Sequence, residues 1–98
     1  MLGLCMKAGG LQCGADACLE SIKNRNSYLI IVTEDASPNT REKFQGIAKE
    51  HSVEFICFGK KDCLSKSIGK NDKVVFSIID KGFANKILQL IKDLKEAI

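Results

Sequence analysis

The chain has no tryptophan, one tyrosine, one histidine and one proline, and no long apolar run. A bilayer-crossing helix needs roughly 18 or more apolar residues in succession, so the sequence predicts no membrane span. The amino-terminal residues lack the layout of a secretory signal. Five cysteines stand at positions 5, 13, 18, 57 and 63, with no C-x-x-C pair among them. An odd set at that spacing makes neither a complete disulfide framework nor a zinc site. They read as reduced thiols, mostly of the core, in a cytoplasmic protein. The aromatic residues fall at core-like positions, leaving no exposed ladder on which single-stranded bases would stack. No repeat, low-complexity tract or linker divides the 98 residues, which predicts one domain, 1–98.

What the chain does have is a displaced charge balance. Between Lys60 and Lys73 there are five lysines and two aspartates, and this surplus of three equals the net charge of +3. Ten basic and ten acidic residues balance elsewhere. A local cationic patch on a neutral background suits an anionic partner. It also suits a solvated lysine-rich edge, and composition alone does not choose between them.

Tyr28-Leu-Ile-Ile-Val-Thr33 is an unbroken apolar run of strand length, which predicts a strand buried on both faces and helices on both sides of a sheet. Ser37 and Pro38 follow as a helix cap and a first helical residue with preset φ. Phe44, Ile47, Ala48 and His51 mark the buried face of that helix, with His51 as a packing residue. Val53–Phe58 and Val74–Ile79 read as further strands, and Leu11–Cys13 as a short extended piece. Leu2, Cys5 and Met6 begin a short helix that Gly9-Gly10 ends. Gly14 opens a second helix whose apolar face is Ala15, Cys18, Leu19 and Ile22. Asp62 to Ser67 makes a brief fourth helix, ended by Gly69. Phe83, Ile87, Leu88, Leu90, Ile91 and Leu94 form one wide stripe on the last helix. Strands alternating with helices at this spacing predict a three-layer α/β/α arrangement.

Two places carry the right chemistry for a ligand. At Leu11-Gln-Cys-Gly14-Ala-Asp16-Ala, a glycine at a helix start lets an anion approach backbone N–H groups at the positive end of the helix dipole. Asp16 works against this, since a first-turn carboxylate already satisfies the dipole and repels phosphate. Around Gly69, the lysines 66, 70 and 73 are placed to contact successive phosphates, each displacing a counterion. Such contacts position a nucleic acid without reading it. A thiol enzyme is a third reading, with Cys13 just before a helix start as the nucleophile. The arginine that a phosphatase-type loop wants six residues on is absent, the position being Leu19. No metal spacing, phosphate-binding glycine loop or paired-carboxylate cluster is present, so no cofactor and no catalysis are expected.

These residues resemble the ribosomal protein L-seven-Ae superfamily, and within it the bacterial YlxQ-type branch of small ribosome-associated proteins. Asp35-Ala-Ser-Pro-Asn-Thr40 followed by Lys43 is the specific match. Leu2-Gly-Leu-Cys-Met-Lys-Ala-Gly9, Leu64-Ser-Lys-Ser-Ile-Gly-Lys70 and Asp80-Lys-Gly-Phe-Ala84 are looser ones in the same register. The resemblance implies an α/β/α sandwich around a four-stranded mixed sheet, without catalysis. It also implies kink-turn RNA held between the start of the second helix and the loop before the last strand. The implied RNA-binding residues are Gly14, Ala15, Asp16, Ala17, Glu20, Lys66, Ile68, Gly69, Lys70 and Lys73.

Where the family has glycine-x-asparagine-glutamate and a lysine one turn later, this chain keeps only Gly14. Asp16 lacks the amide donor, Ala17 lacks an acceptor, and Glu20 reverses a charge. Serines 65 and 67 replace glycine and alanine of the family pattern. The expectation is a non-catalytic RNA-binding protein for structured, kink-turn-like RNA, ribosomal RNA included, with ribosome association and no membrane partner. The competing expectation is a protein-interaction module that keeps the fold and has lost the RNA contacts.

Overall fold

The solid apolar runs become the middle of a sheet. The structure, a computed structural model, describes residues 2–96, so the expected domain span of 1–98 reaches past the described residues at both ends. The order of elements is α1 (Leu2–Lys7), β1 (Leu11–Cys13), α2 (Ala15–Lys23), β2 (Leu29–Val32), α3 (Pro38–Glu50), β3 (Glu54–Cys57), α4 (Lys61–Ser67), β4 (Val75–Ile78) and α5 (Lys81–Glu96). The four strands form one mixed sheet in the order β1-β4-β2-β3. β2 and β3 are parallel, which requires the crossover that α3 supplies. β4 runs antiparallel to both β1 and β2, with Ile31 opposite Phe76 and Cys13 opposite Phe76 on its other side.

Both central strands are buried along their whole length; β2 is apolar throughout, and the one polar residue of β4, Ser77, has its hydroxyl satisfied by Ser27 and Ser21. Alternate side chains serve two cores. Leu29, Ile31, Phe76 and Ile78 meet Cys5 of α1 and Ile87 and Ile91 of α5 on one face. Ile30, Val32 and Val75 meet Cys18 and Ile22 of α2 and Phe44 of α3 on the other. The fold is therefore a three-layer α/β/α sandwich, as expected. Removing a fully buried ring such as Phe76 from a core of this kind costs about 3–5 kcal/mol.

Four expectations about packing are corrected. His51 is not a packing residue: it is exposed beyond the end of α3, where its N–H caps the Ile47 carbonyl at 3.1 Å. Tyr28 lies outside β2 and is 48% exposed, so it is not a core aromatic. Ala15 faces solvent, because Cys18, Ser21 and Ile22 carry the buried face of α2. Leu90 and Leu94 are exposed although they continue the stripe of α5. Ile87 and Ile91 of the same stripe are buried on the sheet, whereas Leu90 and Leu94 sit on its margin and border an open apolar groove of about 250 Å³ with Leu2, Phe58 and Leu64. β3 is only half buried because it is an edge strand.

Candidate nucleic-acid interface

Because β4 runs against β1 and β2, its beginning lies beside their ends, and four loops meet at one edge of the sheet. The Gly14 N–H donates to the Val75 carbonyl at 3.0 Å and the Thr33 N–H to the Val74 carbonyl at 2.9 Å. The Glu34 N–H donates to the Gly59 carbonyl at 2.8 Å, adding the turn after β3. These bonds bring the start of α2 and the loop before β4 into one surface.

Gly14 stands at φ 91° and ψ 154°, a region nearly confined to glycine. It offers α2 no capping side chain, so the first-turn amides of Ala15, Asp16 and Ala17 are left open. A Cβ placed on Gly14 would sit 3.7 Å from the Lys73 ammonium. A cation thus rests against the positive end of a helix dipole. That arrangement is unfavourable by itself and becomes favourable when an anion joins the two.

The lysines of the second loop divide into two groups. Lys60 pairs with Glu34 and Lys61 with Asp72, each at 3.6 Å. Among the described residues no carboxylate lies within ion-pair distance of Lys66, Lys70 or Lys73. Lys66 and Lys70 line a polar hollow of about 210 Å³ with Asp62, Ser65, Asn71 and Asp72. Gly69, at φ 71°, makes the turn between them. These three are the lysines named from the sequence as candidate phosphate contacts.

The remaining candidates fall differently. Asp16 and Glu20 are exposed one turn apart on α2, and neither forms an ion pair among the described residues. Glu20 and Ala17 border a second polar hollow with Gln12, Asn24 and Asn26, along the flank of α2. Ile68 is 9% exposed and belongs to the core, so its side chain is withdrawn from the surface. Cys13 is half buried at the end of β1. Its neighbour Cys18 is fully buried, donates to the Val75 carbonyl, and has its thiol pushed up to about 12, mainly by burial and secondarily by Cys13.

Two contributors were not picked out as site residues. Asp35 reaches across to the start of α4 and accepts from the Lys61 N–H at 3.0 and 3.2 Å. Its carboxyl is held below the usual range, first by the Thr33 hydroxyl, against some desolvation, and then by the Lys61 amide. Thr33 stands close enough to act on Asp35 yet forms no aligned bond, its hydroxyl being buried without a partner. The firm contact is therefore the one to Lys61. Ser65 is the other: its 1% exposed hydroxyl bonds both the N–H and the carbonyl of Lys73. The only hint in the sequence was a serine where the family pattern has glycine.

A mixed-sheet α/β/α sandwich with an uncapped helix start facing a lysine-bearing loop defines a recognisable class of small binding domain. The chain belongs to the ribosomal protein L7Ae/L30e/S12e/Gadd45 family, whose model matches residues 1–88. It is 35% identical over 91 residues to the RNA-binding protein YlxQ of Bacillus subtilis (strain 168), covering 93% of this chain and 91% of that one. To the RNA-binding protein YlxQ of Enterococcus faecium it is 36% identical over 93 residues, covering 94% and 88%. Among solved structures, a Bacillus halodurans C protein of unknown function superposes with a TM-score of 0.89 at 28% identity, over 93% of this chain and 92% of the other. The Giardia lamblia 15.5kD RNA binding protein superposes at 0.79 and 16% identity, over 99% and 83%, a likeness of fold.

Proposed function

We propose that this chain is a non-catalytic, cytoplasmic RNA-binding protein that recognises a sharply bent, kink-turn-like RNA, ribosomal RNA being one source. The observation that carries the reading is the Lys73 ammonium beside the uncapped, side-chain-free start of α2 at Gly14. The names of the two YlxQ relatives, at 35% and 36% identity, support RNA as the partner class. In this reading the amides of Ala15–Ala17 donate to the bent strand, and Lys66, Lys70 and Lys73 fix phosphates on either side. Recognition is by shape, since amides and lysines carry little base information.

Asp16 and Glu20 favour a second reading, a protein-interaction module, because two exposed carboxylates on α2 repel a phosphate backbone. A gel-shift titration separates the two. A kink-turn RNA and an unkinked duplex of equal length are compared at 50 and 200 mM salt. The RNA reading predicts tight binding to the kinked molecule, with a log–log salt slope of about −2 to −3 for three phosphate contacts. Equal binding to both leaves only a lysine patch, and binding to neither favours the protein partner.

A further inference from the structure

Ser65 sits in the middle of α4 and is 1% exposed, among the most enclosed polar residues of the chain. A buried serine in a helix ordinarily satisfies its hydroxyl on its own helix. Ser21 of α2, 6% exposed, does so, donating to the Cys18 carbonyl at 2.7 Å. Ser65 instead leaves the helix. Its Oγ accepts from the Lys73 N–H at 2.9 Å and donates to the Lys73 carbonyl at 3.1 Å. The main-chain carbonyl of Ser65 also accepts from the Lys70 N–H at 2.9 Å. One residue therefore sets the position of both Lys70 and Lys73.

The path of the loop makes this consequential. Its far end is secured where the Val74 carbonyl accepts from Thr33 and the Val75 carbonyl from Gly14. Between Lys70 and Val74, the main-chain bonds seen among the described residues are the two made by the Ser65 hydroxyl. Asp72 lies inside this stretch at φ 56°, a left-handed turn conformation that aspartate adopts more readily than most side-chain-bearing residues. The Lys61–Asp72 pair is exposed and contributes little restraint. Lys73 reaches the start of α2 from the point where Ser65 grips its main chain.

We infer that Ser65 is the positioning residue of the interface, presenting the Lys73 ammonium to an RNA phosphate at the open start of α2. This rests on the RNA reading above and adds to it a residue that touches no ligand. Without the hydroxyl, Lys73 keeps its charge but loses its fixed place, and a loosely held lysine loses part of its contact to ordering entropy.

The test is a double-mutant cycle read on binding of a kink-turn RNA, using Ser65→Ala, Lys73→Ala and the pair. Ser65→Ala is expected to weaken binding about fivefold, the worth of a lost hydrogen bond, and to reduce the salt slope by a fraction of the roughly one unit that Lys73→Ala removes. The pair should bind no more weakly than Lys73→Ala alone, because the serine acts through the lysine. Ser37→Ala is the stability control: it removes the cap of α3, outside the proposed interface, and should lower Tm without altering the slope. In case Ser65→Ala folds poorly, amide exchange in the unaltered protein gives a second readout. The Lys73 N–H should exchange at least about tenfold more slowly than that of Asn71. Fully additive losses with an unchanged slope, or equal exchange at the two amides, overturn the positioning role and leave the RNA reading standing. Absence of RNA binding by the unaltered protein overturns both.

Discussion

Two helix starts lie at the same end of this sheet and are finished in opposite ways. α3 begins at Ser37, whose Oγ accepts from the Thr40 N–H at 3.3 Å and donates to the Thr40 hydroxyl at 3.0 Å. Pro38 fills the next position, Arg41 reaches back to the Glu34 carbonyl, and Asp35 caps the neighbouring α4. α2 begins at Gly14, with no side chain to cap it and a lysine drawn up beside it. The first turn is closed by its own residues. The second is left for something else to close, and an anion is what its open amides and its lysine would accept. The lesson is that a well-matched motif can mark architecture, while the stretch beside it that we propose for binding matches the family pattern poorly.

The contrast can be broken experimentally, and the largest effect should come from charge. Replacing Lys66, Lys70 and Lys73 together by alanine should weaken RNA binding about 10²-fold or more at low salt and flatten its salt dependence. Tm should stay within a degree or two, because none of the three has an ion-pair partner among the described residues. Gly14→Ala comes next and should act on both properties. The added Cβ meets only ordinary contact at 3.7 Å, but the backbone conformation at φ 91° costs an alanine about 1–3 kcal/mol. Denaturant unfolding measures that loss.

Ser37→Ala should do the reverse of the lysine variant. Losing the cap lowers stability by about 1 kcal/mol, while RNA affinity is unchanged. The smallest effect concerns pH. The Asp35 carboxyl is lowered in the folded chain, so its contribution is present above its ordinary value near 3.8 and is lost as pH falls through the lower folded value. Acid unfolding below about pH 4 should therefore be slightly less steep in Asp35→Asn, and stability near pH 7 should fall modestly with the capping charge.

Most of the architecture was legible because it follows from local pattern. Leu29–Val32 and Val75–Ile78 have no polar alternation and became the central strands; Ser37-Pro38 began a helix where a cap and a preset φ demand one. The errors at His51, Leu90 and Leu94 are errors of extent: His51 falls just past the end of its helix, and the stripe of α5 is wider than the part of it that Ile87 and Ile91 bury. Periodicity tells which side of a helix is apolar but not where the helix stops or how much of that side is covered. Within the candidate site, Lys66, Lys70 and Lys73 could be named as candidates but not told apart from the paired Lys60 and Lys61, since which lysines find carboxylates depends on the placing of Glu34 and Asp72. Ser65 was hidden for the same reason: its partner is eight residues away, across a turn.

The central claim is that the open helix start, and not the closed one, meets RNA. Backbone amide shifts on titration with a kink-turn RNA test it most directly. The account predicts large shifts at Ala15, Asp16, Ala17 and Lys73, with Asn39 and Thr40 of the capped α3 start unmoved. Shifts confined to the α3 start, or to the exposed Leu90 and Leu94 end of α5, would contradict it.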